Sequence, residues 1–341
     1  MCRCLFGCAL ALAGAGVYAQ AAAPQCSAEK IAAILAPAAQ GQNSIAVNCS
    51  ATLPPSSVVT KNLVFAGAAS SNLTFDCNGA RLIRQGKGDS VVIRSLWRNG
   101  TWSRPQNITL RSCNIEGALR IIGMGVNDLW QASRIPNNTP ATQAAAPSHI
   151  QLENLTITGN GRIPFYVSPG ATYVTLKNST ILGQTDGTAI YLDAESAHNT
   201  LVGNIINTSG KREALAVDGS AYNLIENNRF LNVKKGGIFL YRNCGERGVI
   251  RQQTPSYNII RHNYFANQNA SRWQTIVWLG SRNGRASYCG QDAGYPFGSS
   301  IDNGDFAENN TVENNTFDRY RNRQTLKADS TQNTLSGNRE Q

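Results

Sequence analysis

The chain contains 341 residues, nine of them cysteines, and carries a formal net charge of +10. Such an excess of positive charge favours an anionic partner, although nucleic acid is not expected because the sequence has no run of basic residues. A membrane span is also not expected, because beyond the first residues no segment has about 20 consecutive apolar residues.

The first 19 residues have the features of a secretory signal peptide. Arg3 precedes an apolar run over residues 5–17, and small residues lead to a cleavage position after Ala19. A lipoprotein signal at Cys8 is the weaker alternative, because Cys8 comes before an adequate apolar stretch. We therefore expect cleavage near Ala19 and a secreted or periplasmic monomer, formed by residues 20–341 as a single domain.

A short helix is predicted within residues 26–40. Ser27 is a possible N-cap, and Ile34 and Leu35 lie on one side of this helix. Short β segments follow this helix. Residues 116–148 then depart from the strand pattern and form a long excursion. Long ordered loops on a regular scaffold are usually functional or shield a surface.

Four similar segments lie between residues 187 and 282 and align without gaps. They are AIYLDAES from Ala189, ALAVDGS from Ala214, GIFLYRN from Gly237 and IVWLGSR from Ile276. In each, apolar residues alternate with other residues at the period of a β-strand. We expect one face of these strands to form the core and the other to form the surface.

A second repeated phrase follows these segments, with two asparagines separated by four residues. It occurs five times, beginning at Asn199, Asn223, Asn258, Asn310 and Asn333. Self-similarity with short β segments indicates a stacked repeat, the parallel β-helix. Asparagine tolerates left-handed backbone angles at the corners, and its amide can bond the asparagine of the next coil. The short N-terminal helix would then cap the open apolar end.

Two further excursions, residues 243–257 and 283–307, leave from the same corner of the repeat. Outside the signal segment six cysteines remain, without the CxxC spacing of zinc sites, so we expect disulfides. Sequence alone leaves the pairing open. Because a repeat protein contacts only adjacent coils, the expected pairs are consecutive: Cys26 with Cys49, Cys77 with Cys113, and Cys244 with Cys289.

The outward positions of the aligned strands hold the residues most suited to chemistry. Asp193 and Asp218 should be neighbours on consecutive coils, about 4.8 Å apart, and two such carboxylates must hold a cation or share a proton. The aromatic residues of the next column could stack on sugar rings. This column contains Tyr166, Tyr191, Phe239 and Trp278, and the charged residues nearby are Glu195, Lys211, Arg212, Glu213, Arg242 and Arg282.

A structural interpretation of the same residues stays open. The outward aromatic side chains could simply be covered by the long loops, and Asp193 and Asp218 could be turn-bonding residues at strand ends. His149, His198 and His262 do not have the pattern of a triad or a metal site. His198 and His262 occupy turns or asparagine-like positions, and we interpret these two as structural residues.

The asparagine-rich coils and the strands between them resemble the right-handed parallel β-helix superfamily of pectate lyases and their relatives. The resemblance covers most of residues 60–340 and implies an all-β, single-stranded right-handed parallel β-helix. Its members include polysaccharide lyases, glycoside hydrolases and uronan epimerases. The Asp-Pro-His-Asp pattern of the epimerases and the Gly-His-Gly of polygalacturonases are not present in this sequence.

The resemblance implies an exported polysaccharide lyase that acts on an acidic glycan by β-elimination. In that case Lys211 and Arg242 would be base and acid, with Tyr241 as another proton donor, and Asp193, Glu195 and Asp218 would hold Ca²⁺. The first alternative is a glycoside hydrolase in which two carboxylates among Asp193, Asp218, Glu195 and Glu213 cleave the bond. The second is a non-catalytic carbohydrate-binding protein or adhesin. Tyr166, Tyr191, Phe239, Trp278, Arg212 and Arg282 are the predicted substrate contacts.

Overall fold

The computed structural model of the protein describes residues 23–84, 86, 88–266, 274–318 and 325–341. Within these residues the chain winds through successive coils, and each coil contributes one strand to each of three parallel sheets of ten strands. The predicted all-β parallel β-helix is thus confirmed. The signal peptide predicted for residues 1–19 lies outside the described residues.

The three sheets run along the whole coil stack, with strands numbered in chain order. Sheet 1 comprises β1 (Ser44–Ala46), β4 (Asn62–Ala66), β7 (Asp89–Arg94), β12 (Ala118–Ile122), β15 (Phe165–Val167), β18 (Ile190–Leu192), β21 (Leu215–Asp218), β24 (Ile238–Tyr241), β27 (Val277–Leu279) and β30 (Leu326–Ala328). Sheet 2 comprises β2 (Ala51–Thr52), β5 (Leu73–Asp76), β10 (Gln106–Arg111), β13 (Ser148–Glu153), β16 (Thr172–Lys177), β19 (Thr200–Val202), β22 (Leu224–Glu226), β25 (Ile259–Arg261), β28 (Thr311–Glu313) and β31 (Thr334–Ser336). Sheet 3 comprises β3 (Val58–Val59), β6 (Arg81–Ile83), β11 (Asn114–Glu116), β14 (Thr156–Gly161), β17 (Thr180–Thr185), β20 (Ile205–Gly210), β23 (Arg229–Leu231), β26 (Tyr264–Ala266), β29 (Thr316–Asp318) and β32 (Arg339–Glu340).

The long insertions all follow strands of sheet 1, as the sequence indicated for two of them. After β7 comes a hairpin of β8 (Leu96–Arg98) and β9 (Thr101–Ser103), and after β12 come helices α2 (Val126–Ala132) and α3 (Thr139–Ala145). Short 3₁₀ turns interrupt the other connections, at Ala68–Ser70, Glu246–Gly248 and Gly298–Ser300. One corner of the β-helix is therefore thickly covered.

The predicted excursion over residues 116–148 begins too early. Residues 118–122 form β12, which pairs in parallel with β15 on one side and with β7 on the other, where the register shifts between Ala118 and Leu119. The alternation of buried Leu119 and Ile121 with Arg120 is the strand pattern. The excursion from the repeat therefore extends from residue 123 to residue 147.

The register of sheet 1 agrees with the gapless alignment of the sequence. Tyr166 pairs with Tyr191, Tyr191 with Ala216, Ala216 with Phe239, and Phe239 with Trp278. The alternate positions are fully buried and belong to one continuous core, including Ile190, Leu215, Ile238 and Val277. Alternation at period two fixes which side chains face inward.

Two ladders of buried asparagines connect the coils. The amide nitrogen and side chain of Asn228 both donate to Asn263 Oδ1, at 2.9 and 3.0 Å, and Asn263 repeats both contacts with Asn315. The predicted contact between asparagines of adjacent coils is confirmed. The left-handed backbone, however, belongs to the preceding residue, such as Asn227 (φ 55°) or His262 (φ 55°). This division lets one residue turn the corner while its neighbour points inward.

A ladder of stacked rings follows the outer corner at the start of sheet 2. His149, Tyr173, His198, Tyr222 and Tyr257 all have positive φ, between 54° and 58°. Their ring centroids are 4.7 to 5.0 Å apart on consecutive coils. The structural role predicted for His198 agrees with this placement.

The N-terminal helix α1 (Ala28–Leu35) is capped by Ser27, whose side chain accepts a hydrogen bond from the Lys30 amide at 3.2 Å. Ile34 is fully buried and belongs to the core, against which Ile31 and Leu35 also pack. The helix therefore covers the apolar end of the coil stack, as expected. No helix among the described residues is long and apolar enough to cross a membrane.

Three disulfides join Cys26 to Cys49, Cys77 to Cys113 and Cys244 to Cys289, which confirms the predicted consecutive pairing. The first two join consecutive parts of the N-terminal coils. The third ties two excursions together beside sheet 1. Three disulfides are consistent with an extracytoplasmic location, because such bonds form and persist in oxidising compartments.

Candidate active site

A cavity of about 620 Å³ lies over the outward face of sheet 1, where the excursions meet it. Strands β12, β15 and β18 contribute the floor, and the other walls come from the excursions that follow β12, β24 and β27. Its charged and aromatic lining consists of Asp89, Arg120, Arg162, Tyr166, Tyr191, Asp193, Arg212, Glu246, Arg247, Arg251, Arg282 and Tyr288.

The two aspartates expected at the surface are buried. Asp218 is 0% exposed and Asp193 is 8% exposed, because the excursions cover the outward face of the strands. Each carboxylate accepts a hydrogen bond from the tyrosine of the preceding coil: Tyr166 donates to Asp193 Oδ2 at 2.5 Å, and Tyr191 donates to Asp218 Oδ2 at 2.6 Å. The expectation of an exposed second face was therefore wrong at these positions.

Arg251 forms ion pairs with Asp193 and Glu246. Its Nη1 lies 3.1 Å from Asp193 Oδ1, and its Nη2 lies 3.5 Å from Glu246 Oε2. Burial disfavours its charge, but Asp193 and Asp218 outweigh this effect and raise the pKa of Arg251. A guanidinium from an excursion thus occupies the position for which the sequence suggested a metal ion.

Asp218 is the carboxyl group whose protonation is most perturbed. Burial raises its pKa from 3.8 to about 6, and Asp193 adds to the rise. Arg251 and the hydrogen bonds from Tyr191 and Asn243 oppose it. The group therefore changes charge in mildly acidic solution.

Tyr241 and Glu213 form a second buried pair next to Asp218. Tyr241 is 1% exposed, and its hydroxyl donates to Glu213 Oε1 at 3.0 Å while accepting a hydrogen bond from Arg212 at 2.8 Å. Arg212 also binds Glu213 at 2.8 Å. Burial and Glu213 raise the pKa of Tyr241 well above 10, so the phenol stays neutral.

Asn243 organises the part of the cavity formed by the excursions. Its Oδ1 accepts hydrogen bonds from Tyr288, at 2.5 Å, and from Arg282. Its Nδ2 donates to Asp218 Oδ2 at 2.7 Å and to Glu246 Oε2 at 3.1 Å. A single amide therefore holds a phenol and a carboxylate close to each other.

Arg282 lies over the ring of Tyr241, with its Cζ 3.9 Å from the ring centroid. Its guanidinium donates to the hydroxyl of Tyr288 and to Asn243. These partners are neutral, and among the contacts described for this guanidinium none is a carboxylate within ion-pair distance. Arg282 can thus receive an anion from a ligand.

The predicted site residues fall into two groups. The cavity brings together Tyr166, Tyr191, Asp193, Arg212 and Arg282, with Asp218, Tyr241 and Glu213 buried directly around them. The others lie elsewhere: Lys211, Arg242, Glu195, Phe239 and Trp278.

Lys211 points away from the cavity. Its side chain is 75% exposed and lies 3.1 Å from Asp186 in a separate groove. Arg242 is buried behind the cavity wall, where its Nη2 donates to the carbonyl of Asp302 at 2.6 Å. Phe239 packs edge-on against Trp278 with ring centroids 5.8 Å apart, and neither residue is part of the cavity lining.

The residues expected to bind Ca²⁺ do not surround one point. Glu195 accepts hydrogen bonds from the backbone amides of Gln252 and Gln253, at 2.8 and 3.2 Å, and from Thr139, so it holds excursions together. Asp193 is already paired with Arg251. Within the described ranges no group of three or more His, Cys, Asp or Glu side chains could hold a metal ion. These residues do not fit a calcium site, and calcium dependence stays a prediction for a chelation experiment.

Several cavity residues were not identified from the sequence, namely Asp89, Arg120, Arg162, Asn243, Glu246, Arg247, Arg251 and Tyr288. Arg120 could have been found by extending the alignment one coil, because it pairs with Tyr166 in the register of sheet 1. Glu246, Arg251 and Tyr288 lie in the excursions. The only available signal for them was the number of charged and aromatic residues in those loops.

A family model agrees with the architecture, and two solved structures are distantly similar. A family model described as "right handed beta helix region" matches residues 40–254. An alginate lyase from Paenibacillus sp. str. FPU-7 superposes with a TM-score of 0.49 and 14% identity, over 86% of this chain and 95% of that one. A GH136 lacto-N-biosidase from Eubacterium ramulus gives a TM-score of 0.39 and 11% identity, over 86% of this chain and 45% of that one. No curated protein matches the sequence.

Proposed function

The chain belongs to the family of right-handed β-helix proteins, and from the cavity on this scaffold we propose that it is an exported enzyme that cleaves an acidic, uronate-containing polysaccharide by β-elimination. The observation that carries the proposal is the excess of arginine around the cavity: among the described residues its lining holds six arginines and three carboxylates, with Asp218 and Glu213 buried directly around it. The guanidinium of Arg282 makes contacts only with neutral groups among those described. A uronate carboxylate of the substrate would be an anionic partner for this guanidinium.

Elimination from a uronate needs three functions, and the cavity offers a group for each. Arg282 would bind the uronate carboxylate, which makes the C5 proton more acidic. Glu246 would take that proton, since its side chain is 35% exposed and is the most accessible carboxylate of the lining. Tyr288 would protonate the leaving oxygen.

The proton transfers balance in this scheme. The C5–H bond breaks and its proton passes to Glu246, the C4–O bond breaks as a C4–C5 double bond forms, and the leaving oxygen takes the proton of Tyr288. Burial raises the pKa of Tyr288 although Arg282 opposes the rise, so the phenol carries its proton at neutral pH. Asn243 contacts both Glu246 and Tyr288, and it would hold acid and base beside the same sugar.

The test is incubation of the purified mature protein with acidic and neutral polysaccharides, with and without chelator. Ultraviolet absorbance reports the unsaturated uronate that elimination creates, and a reducing-end assay reports chain cleavage. Both signals together support the lyase proposal. Binding of the polymer without either signal would instead favour a carbohydrate-binding protein.

A glycoside hydrolase is the second candidate. Asp193 and Glu246 both bind Arg251, so two carboxylates face one part of the cavity as acid and base hydrolysis requires. New reducing ends without ultraviolet absorbance would support this candidate and contradict elimination. Replacement of either carboxylate by its amide would then abolish cleavage.

A further inference from the structure

The cavity has an aliphatic wall as well as a charged one. This wall consists of Ile122, Met124, Val126, Leu129, Ile163 and Val249. Met124 and Val126 are not part of the buried core clusters, and Val126 is 50% exposed although it lines the cavity. Helix α2 and the residues just before it therefore present apolar side chains to the space that the arginines also line.

A polysaccharide backbone does not explain this wall. Sugar rings bind proteins through hydroxyl groups and through C–H faces that stack on aromatic rings, whereas this wall is aliphatic. Arg282, whose described partners are all neutral, favours an anionic ligand in the same cavity. The ligand is thus expected to carry negative charge at one end and an apolar group at the other.

We propose that the aliphatic wall is a subsite for an ester-linked acyl group, such as acetyl, on the acidic sugar. This inference rests on the proposed function and specifies its substrate class as an O-acylated uronate polymer. The acyl group would leave water and pack against Met124 and Val126, while the carboxylate of the sugar is bound by Arg282. Burial of one methyl group corresponds to about a fourfold gain in affinity.

The experiment compares one uronate polymer in two forms, O-acetylated and de-esterified by mild alkali. Initial rates of unsaturated-product formation and polymer affinity are measured for both forms. We expect the wild type to prefer the acetylated form by about fourfold or more in kcat/KM. The double variant Met124→Gln/Val126→Thr, which keeps side-chain volume, should bring this ratio close to one.

A matched control is Ile301→Asn, which changes a 68% exposed aliphatic residue outside the cavity lining and should keep the wild-type ratio. Equal kcat/KM and equal affinity for both forms would overturn the acyl subsite and leave the lyase proposal intact. If neither form yields an unsaturated product, the proposed function fails. In that case the acyl subsite is tested by binding alone, through the ratio of the affinities for the acetylated and de-esterified polymers. A ratio of one overturns the acyl subsite.

Discussion

Replacement of Arg282 by Gln tests the central assignment of the cavity. The guanidinium lies between Asn243, Tyr288 and the Tyr241 ring and has no carboxylate among its described partners. If it binds the uronate carboxylate, the variant loses a hydrogen bond to a charged group, which contributes about 1.5–3 kcal/mol. Since about 1.4 kcal/mol corresponds to a factor of ten, we expect kcat/KM to fall roughly 10- to 100-fold.

The control variant is Arg285→Gln in the same excursion. Arg285 is 63% exposed, lies 3.8 Å from Asp329 and does not line the cavity. We expect its kcat/KM to stay within about twofold of wild type, because exposed ion pairs contribute little. Both enzymes are assayed by ultraviolet absorbance on the cleaved polymer.

Thermal unfolding separates binding from folding in this comparison. Loss of the contact between Arg282 and the Tyr241 ring is expected to cost about 0.5–2 kcal/mol of stability, so activity is measured well below the unfolding midpoint. A folded Arg282→Gln variant with wild-type kcat/KM would refute the assignment of this residue to the uronate carboxylate.

Three further predictions concern the groups around Arg282. Tyr288→Phe should lower kcat by about 100-fold or more if its phenol protonates the leaving oxygen, whereas Tyr295→Phe, outside the cavity lining, should not; similar kcat values in the two variants would exclude this role. The pKa of Asp218 is raised to about 6 in the folded state, so its contribution to stability is present below pH 4 and is lost as the pH rises through 6. The free energy of unfolding of wild type relative to Asp218→Asn should therefore fall by up to about 3 kcal/mol between pH 4 and pH 7, and urea titrations that give a constant difference would contradict it. Removal of the Cys244–Cys289 disulfide by serine substitution should lower kcat/KM more than removal of Cys26–Cys49, because only the former adjoins Asn243 and Tyr288 in the sequence; equal losses, measured on folded variants, would show that this disulfide has no special role in the site.

The repeated part of the molecule was accessible to sequence analysis because its rules are local. Strand alternation places Tyr166 in register with Tyr191, and the pairing of consecutive cysteines follows from contacts between adjacent coils. The same rules leave the excursions undetermined. Arg251 reaches Asp193 across 58 positions of the chain, and no periodic pattern specifies that contact.

Adjacent residues of similar chemistry can face different sides of the β-helix, and a sequence pattern does not show which of them enters the cavity. Lys211 and Arg212 are adjacent and both basic, yet Arg212 lines the cavity while Lys211 lies in a groove on another side. The family resemblance implies a lysine as base, and Lys211 is the lysine that it indicates. Among the described residues, the basic side chains that line the cavity are instead arginines.

The ladder of rings from His149 to Tyr257 bears on how this scaffold can vary in length. Each ring between the ends stacks on two neighbours about 5 Å away, and each residue holds a left-handed backbone that bulky side chains rarely adopt. Replacement of one of these inner rings therefore removes two stacking contacts at once. Insertion or loss of a complete coil would leave every remaining ring stacked, so homologues of different length are expected to differ by whole coils.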